Sequence, residues 1–164
     1  MSDPAASVTV SPARSPEDVA HVRTLFLEYA RSLDFSLCFQ GFEAELAGLP
    51  GKYAPPTGAL LLARAGDAVA GVVGLRPLEA GVCEMKRLYV RPPFRATGAG
   101  RRLAQAVVAE GRRLGYRAMR LDTLESMAAA NALYRALGFT PIGPYCENPL
   151  PGALYYERTL QEDA

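Results

Sequence analysis

One stretch of this chain leaves little freedom in how it can fold: Leu88-Tyr89-Val90-Arg91-Pro92-Pro93-Phe94-Arg95-Ala96-Thr97-Gly98-Ala99-Gly100-Arg101-Arg102-Leu103. An apolar run stopped by two prolines, a turn holding two glycines, and a helical period opening at Leu103 predict a strand, a sharp turn and a helix start. The first amides of a helix lack internal partners and sit at the positive end of its dipole, so such a turn is suited to an anion. Glycine matters because backbone N–H groups approach an anion closely only where no Cβ intervenes. Arg95 and Arg101 can add charge-assisted bonds to phosphate oxygens. Taken alone, the turn is explained equally well as plain loop geometry.

Two common phosphate motifs are excluded. A P-loop needs Gly-Lys-Ser/Thr, and Arg101-Arg102 follow Gly100 instead. A dinucleotide fingerprint needs a third glycine where Leu103 stands.

The rest of the chain supplies elements around this turn. Val8 to Val10 reads as a strand, and Ser15-Pro16-Glu17-Asp18 as a capped helix start. Val19, Val22, Phe26, Tyr29, Ala30 and Leu33 continue it at helical spacing. A shorter helix is predicted over Phe42 to Leu49, then a Pro- and Gly-rich loop from Lys52 to Gly58. Ala59 to Arg64 and Val69 to Leu75 predict a hairpin about Gly66-Asp67, followed by a strand from Val82 to Val90. A helix from Gly98 to Leu114, a strand from Met119 to Leu124 and a helix from Met127 to Leu137 come next. Phe139 to Ile142 and Ala153 to Leu160 close the chain as strands. The order β-α-α-β-β-β-α-β-α-β-β predicts an α/β fold, a mixed sheet of six to seven strands flanked by about four helices. At 164 residues the expectation is a single domain over 1–164.

Charge narrows the function classes. The formal net charge is +1, yet Lys86 to Arg120 carries ten basic residues and one acid, Glu110. A basic block in a neutral chain suggests a local anionic ligand rather than a general affinity for polyanions. For Arg112, Arg113 and Arg117 the expectation is a solvated helix face. Cys38, Cys83 and Cys146 have no metal-ligand spacing and read as free thiols, so no metal is expected. No secretory signal or membrane span is evident, and a cytoplasmic location without a membrane partner is expected. His21, the only histidine, has no partner at triad or ligand spacing and reads as a half-exposed structural residue.

Arg95-Ala96-Thr97-Gly98-Ala99-Gly100 resembles the Q/R-x-x-G-x-G/A acyl-CoA signature of the GCN5-related N-acetyltransferase (GNAT) family. Leu133-Tyr134-Arg135-Ala136-Leu137-Gly138-Phe139 is similar to the same family's LYxxxGF helix end, and the likeness runs from Val69 to Leu160. The resemblance implies that acetyl-CoA is the co-substrate. It implies that the amides of Ala96, Thr97, Gly98, Ala99, Gly100 and Arg101 hold the pyrophosphate, with pantetheine beside Leu88, Tyr89 and Val90. The strand before the turn then has to splay from Met119 to Leu124. Two positions depart from the family pattern: Ala96 where glycine is usual, and Met127 where asparagine is common seven residues before the tyrosine. Asn131, one helical turn before Tyr134, is the candidate substitute for that asparagine.

Transfer to an amine needs a base for the attacking nitrogen and an acid for the departing thiolate. By resemblance Tyr134 is the acid; its phenol, with a reference pKa of about 10, can donate to a thiolate near 8.5. A core tyrosine on an apolar helix face is the alternative. Glu84 is the candidate base, and strand alternation predicts it on one face with Lys86, Leu88 and Val90. A structural ion pair with Lys86 or another cation explains Glu84 equally well. Asp122 and Glu125 either line the acceptor pocket or cap the helix near Met127. Ser32 to Phe42 and Tyr145-Cys146-Glu147-Asn148-Pro149 are the expected acceptor-facing loops.

The reading is an N-acetyltransferase acting on a primary amine of a small molecule or peptide by direct attack in a ternary complex. Its rivals are a non-catalytic acyl-CoA-binding module and a nucleic-acid binder; neutral overall charge argues against the second. Relatives commonly dimerise, which leaves a homodimer open.

Overall fold

The computed structural model describes residues 7–33 and 41–161. Its strands are β1 (Val8–Pro12), β2 (Ala59–Ala65), β3 (Ala68–Glu79), β4 (Val82–Val90), β5 (Ala118–Leu124), β6 (Thr140–Ile142) and β7 (Ala153–Thr159). The helices are α1 (Pro16–Ser32), α2 (Phe42–Ala47), α3 (Ala99–Arg113) and α4 (Ala128–Ala136). The strands form one sheet in the order β1-β2-β3-β4-β5-β7-β6. Only β4 and β5 run parallel. The expected mixed sheet and element order are therefore what the chain adopts.

Local chemistry sets the elements. Ser15 Oγ accepts the Asp18 N–H at 3.0 Å and Pro16 opens α1, as the sequence predicts. Two-residue turns at Gly66-Asp67 and Ala80-Gly81 join β2 to β3 and β3 to β4, with φ of 61° at Gly66 and 76° at Gly81. Helices cover both faces. Leu103 and Val107 of α3 pack with Met119, Leu121 and Tyr156 on one side. Val22, Leu25 and Phe26 of α1 pack with Leu62, Val72 and Tyr53 on the other. No helix among the described residues is long and apolar enough to cross a membrane.

Two irregularities of β4 shape the site. Its pairing with β5 covers only Val82↔Ala118, Cys83↔Met119 and Glu84↔Arg120, although both strands continue. From Met85 onward the edge of β4 facing β5 has no ladder partner, which is the splay the resemblance implied. On its other edge, Val72↔Tyr89 and Gly74↔Lys86 leave Arg87 and Leu88 opposite Val73 alone, a β-bulge with Arg87 at φ 60°. The bulge corrects the expected alternation. Glu84 and Lys86 face α1 and α2, whereas Leu88 and Val90 turn to the α3 side. A left-handed arginine costs on the order of 1 kcal/mol. It is held by Glu45, whose Oε2 and Oε1 accept from Arg87 Nε at 3.1 Å and Nη2 at 3.0 Å, and by the Phe42 ring 5.2 Å away.

Candidate active site

The turn after β4 opens a row of backbone donors. The first hydrogen bond of α3 runs from Arg102 N–H to the Gly98 carbonyl at 3.0 Å, so the amides of Ala99, Gly100 and Arg101 have no intrahelical acceptor. Gly98 has φ 88°, and a Cβ there would meet nothing within 4 Å, so the cradle in front of it is open. Ala96 has φ 66°, the left-handed conformation in which glycine is unstrained. Thr97 closes the turn by donating its hydroxyl to the Phe94 carbonyl.

Half of the basic block is engaged in ion pairs. Lys86 faces Asp122, Arg87 Glu45, Arg91 Glu28, Arg113 Glu110, and Arg120 both Glu79 and Glu157. Arg112, Arg113 and Arg117 are exposed, as expected. Arg95 and Arg101 are also exposed and have no carboxylate partner among the described residues. Arg95 Nε donates to the Val90 carbonyl at 3.1 Å, which ties the turn to the strand end.

A cleft fills the splay. Leu88 and Lys86 of β4, Asp122 and Thr123 of β5, Tyr134 of α4 and Asn148 are among its lining residues. Tyr134 packs edge-on against Phe139 at 6.0 Å, and burial holds its phenol well above the ordinary tyrosine range. Its hydroxyl has no hydrogen-bond partner among the described residues. It is thus both a core ring and a cleft residue. Asn131 is 3% exposed, and its Nδ2 donates to the Leu124 carbonyl at 2.9 Å, joining α4 to β5. Its Oδ1 is buried without a partner among the described residues.

Glu84 is 2% exposed and does not line that cleft. Arg76, directly opposite it on β3, donates Nε to Oε1 at 2.9 Å. Tyr145 donates its hydroxyl to Oε2 at 2.6 Å. The cation paired with Glu84 is therefore Arg76 and not Lys86, which lies 3.4 Å from Asp122. Asn148 Nδ2 donates to the other Asp122 oxygen at 3.1 Å. Asp122 is a wall of the cleft, while the residue capping α4 is Met127, without a side-chain bond. Glu125 packs at Gly152.

Of the two loops expected to face the acceptor, 145–149 sends Tyr145 and Asn148 inward onto the buried carboxylates of β4 and β5. In the other, residues 34–40 lie outside the described residues, as does Cys38. Burial pushes the Cys83 thiol up to about 12 and the Cys146 thiol up to about 11, so neither is a ready nucleophile. His21 is half-exposed on α1, 4.0 Å from Glu17. Sequence reasoning did not single out Arg76, Glu45 or Tyr53, since each gains its meaning from a partner far along the chain.

A parallel pair that splays beside a turn of free amides, inside a seven-stranded mixed sheet, is the architecture of an acyltransferase. The solved acetyltransferase of the GNAT family from Staphylococcus aureus superposes with a TM-score of 0.77 at 18% identity, covering 94% of this chain and all (100%) of that one. An acetyltransferase of Salmonella typhimurium solved with its cofactor acetyl-CoA gives 0.74 at 19%, covering 96% of each chain. The chain belongs to the acetyltransferase (GNAT) family, whose profile matches residues 19–139. It is 38% identical over 151 residues to an uncharacterised N-acetyltransferase of Schizosaccharomyces pombe, covering 91% of this chain and 93% of that protein. It is accordingly an N-acetyltransferase.

Proposed function

We propose that this protein transfers the acetyl group of acetyl-CoA to a primary amine of a small molecule or peptide, by direct attack within a ternary complex. The observation that carries the reading is the run of uncommitted amides at 99–101 opening onto the splayed cleft that Tyr134 lines. The residues present fit a pyrophosphate: the cradle at Gly98 is open, and Arg95 and Arg101, on either side of it in the chain, are exposed without carboxylate partners among the described residues. The amides of Ala96, Gly98, Ala99, Gly100 and Arg101 bind the anion, while the Thr97 amide already donates to the Phe94 carbonyl at 3.4 Å, and the unpaired edge at Leu88, Tyr89 and Val90 aligns the pantetheine arm. Acetyl-CoA supplies the activated acyl carbon.

Tyr134 then holds a proton for the departing sulfur. Burial favours its neutral form, the one able to donate. The proton of the attacking nitrogen passes to the Tyr145 oxygen while the Tyr145 proton passes to Glu84, so the phenol stays neutral and the carboxylate ends protonated. Asn131 supports the α4 end of the cleft through its bond to Leu124. With no ready thiol nucleophile among the described residues, an acetyl-enzyme is not invoked.

The test is calorimetric titration with acetyl-CoA and CoA, followed by thiol release across a panel of amines. Saturable heat and amine-dependent thiol are expected. No heat with either acetyl-CoA or CoA overturns the reading.

A further inference from the structure

Most polar side chains that line the cleft are already engaged. Lys86 and Asn148 meet the two Asp122 oxygens, Arg87 holds Glu45, and the Thr123 hydroxyl donates to Met127 Sδ at 3.5 Å. The exceptions are two phenols. Tyr134 and Tyr29, the latter in the last turn of α1, line the cleft with hydroxyls that have no hydrogen-bond partner among the described residues. Tyr134 serves the sulfur, which leaves Tyr29 without a task.

The two phenols belong to different faces of the sheet. Tyr134 is part of the core beneath α3 and Tyr29 packs against the core beneath α1, so the cleft runs through the splay from one face to the other. In the proposed complex a thioester led in from the α3 amides meets Tyr134 with its sulfur and carries the acyl carbon beyond it. A nucleophile attacking opposite the sulfur then arrives from the α1 face, where Tyr29 stands. Room there is scarce: the cleft measures about 80 Å³, against roughly 300 Å³ for the smallest pockets that enclose a whole ligand. Only the reacting end of an acceptor enters. The Tyr29 ring is fixed edge-on to Tyr89 at 6.0 Å, and Tyr89 is itself tied to Glu28 by its hydroxyl at 3.4 Å. Burial favours the neutral phenol, while the charges of Arg87 and Asp122 act on it in opposite senses. A neutral phenol oxygen can accept a hydrogen bond.

We infer that Tyr29 is a specificity-determining residue: its hydroxyl oxygen accepts a hydrogen bond from the attacking nitrogen and so confines the acceptor to primary amines. The inference rests on the proposed acetyl transfer. A neutral primary amine brings two N–H groups and one lone pair. The lone pair forms the bond to the acyl carbon, and the C–S pair leaves on sulfur, which takes the Tyr134 proton. One N–H proton passes by way of Tyr145 to Glu84. The other is held by Tyr29 and stays on the amide product. A secondary amine spends its single N–H on the proton path, so it forfeits the Tyr29 bond and turns an alkyl group against a fixed ring.

The test measures thiol release from acetyl-CoA with matched pairs: glycinamide and sarcosinamide, phenethylamine and N-methylphenethylamine, cadaverine and N,N′-dimethylcadaverine. At least one primary amine is expected to react with a kcat/KM about 100-fold or more above its methylated partner. Tyr29→Phe is expected to lower kcat/KM for that primary amine about five-fold or more and to leave the methylated partner within about two-fold. Calorimetric CoA affinity and thermal stability should not change, since the ring and its contact with Tyr89 remain. Similar rates within every pair, an unaltered primary-amine rate in Tyr29→Phe, or an equal fall for both members of a pair each overturns the inference while the transfer reading stands. Acetyl-CoA binding without amine-dependent release from any pair strikes the transfer reading and the inference together.

Discussion

The Tyr145 hydroxyl donates to Glu84 Oε2 at 2.6 Å while Arg76 takes Oε1 at 2.9 Å, so both oxygens of this buried carboxylate are engaged from opposite sides. In the proposed reaction a base so enclosed meets an incoming amine only through one of its partners, and the neutral one is Tyr145. Burial, and after it the Glu84 charge, keep that phenol far above its ordinary range, in the protonated form a relay requires. Tyr145→Phe retains the ring, which contacts Tyr155 at 5.6 Å and the Arg120 guanidinium at 5.7 Å, and removes only the hydroxyl. We expect kcat to fall by about 10²-fold with the KM for acetyl-CoA within about two-fold. A carboxylate that loses a charge-assisted bond should also lower stability by about 1–3 kcal/mol in urea unfolding. Unchanged kcat would remove Tyr145 from the proton path.

Tyr134 stands on the other side of the reaction. Its ring is fixed by Phe139 and Tyr156, and its hydroxyl is without a partner among the described residues, so Tyr134→Phe leaves packing intact. Loss of a proton donor for the thiolate should lower kcat by about 10- to 100-fold while calorimetric acetyl-CoA affinity stays within about two-fold. Equal losses in affinity and turnover would instead assign the residue to binding.

The turn can be probed from both directions. Gly98→Asp sets a carboxylate into the open cradle and forces a left-handed φ on a residue with a Cβ. CoA affinity is expected to drop by about 100-fold or more, against a stability loss of only about 1 kcal/mol. Ala96→Gly relieves the φ of 66° and should stabilise the fold by about 0.5–1 kcal/mol without weakening CoA. Wild-type CoA affinity in Gly98→Asp refutes the anion site.

The architecture was legible because period and punctuation agree along the chain: Ser15-Pro16 caps α1, Gly66-Asp67 turns the hairpin, and Gly98 starts α3. The bulge at Arg87 was not. A left-handed kink is normally marked by glycine, and here an arginine adopts it because Glu45 and Phe42, some forty residues earlier, hold it there. That one inserted residue sends Leu88 and Val90 to the opposite face from the one alternation predicts. The partner of Glu84 was hidden for a similar reason. Arg76 follows the predicted end of its strand at Leu75, whereas β3 runs on to Glu79 with Pro77 in register opposite Cys83. Side chains that find partners through strand register or loop return leave no local signature, and Tyr145 is of this kind.

Two tyrosines give the protein a further measurable property. Burial raises the pKa of both Tyr53 and Tyr134 well above the value of about 10 that an unfolded chain shows. Above about pH 10 the unfolded state releases these protons and the native state keeps them, so the unfolded state binds fewer and its relative stability grows with pH. The contribution is therefore fully present below pH of about 10 and is lost as pH climbs toward the native values. Each residue adds a slope of about −1.4 kcal/mol per pH unit to the unfolding free energy in that window. Urea unfolding between about pH 9 and 11 should show the decline, and Tyr53→Phe and Tyr134→Phe should each flatten it by about one such increment. Slopes identical in wild type and both variants would mean that the two phenols ionise as freely in the folded protein as in the unfolded chain.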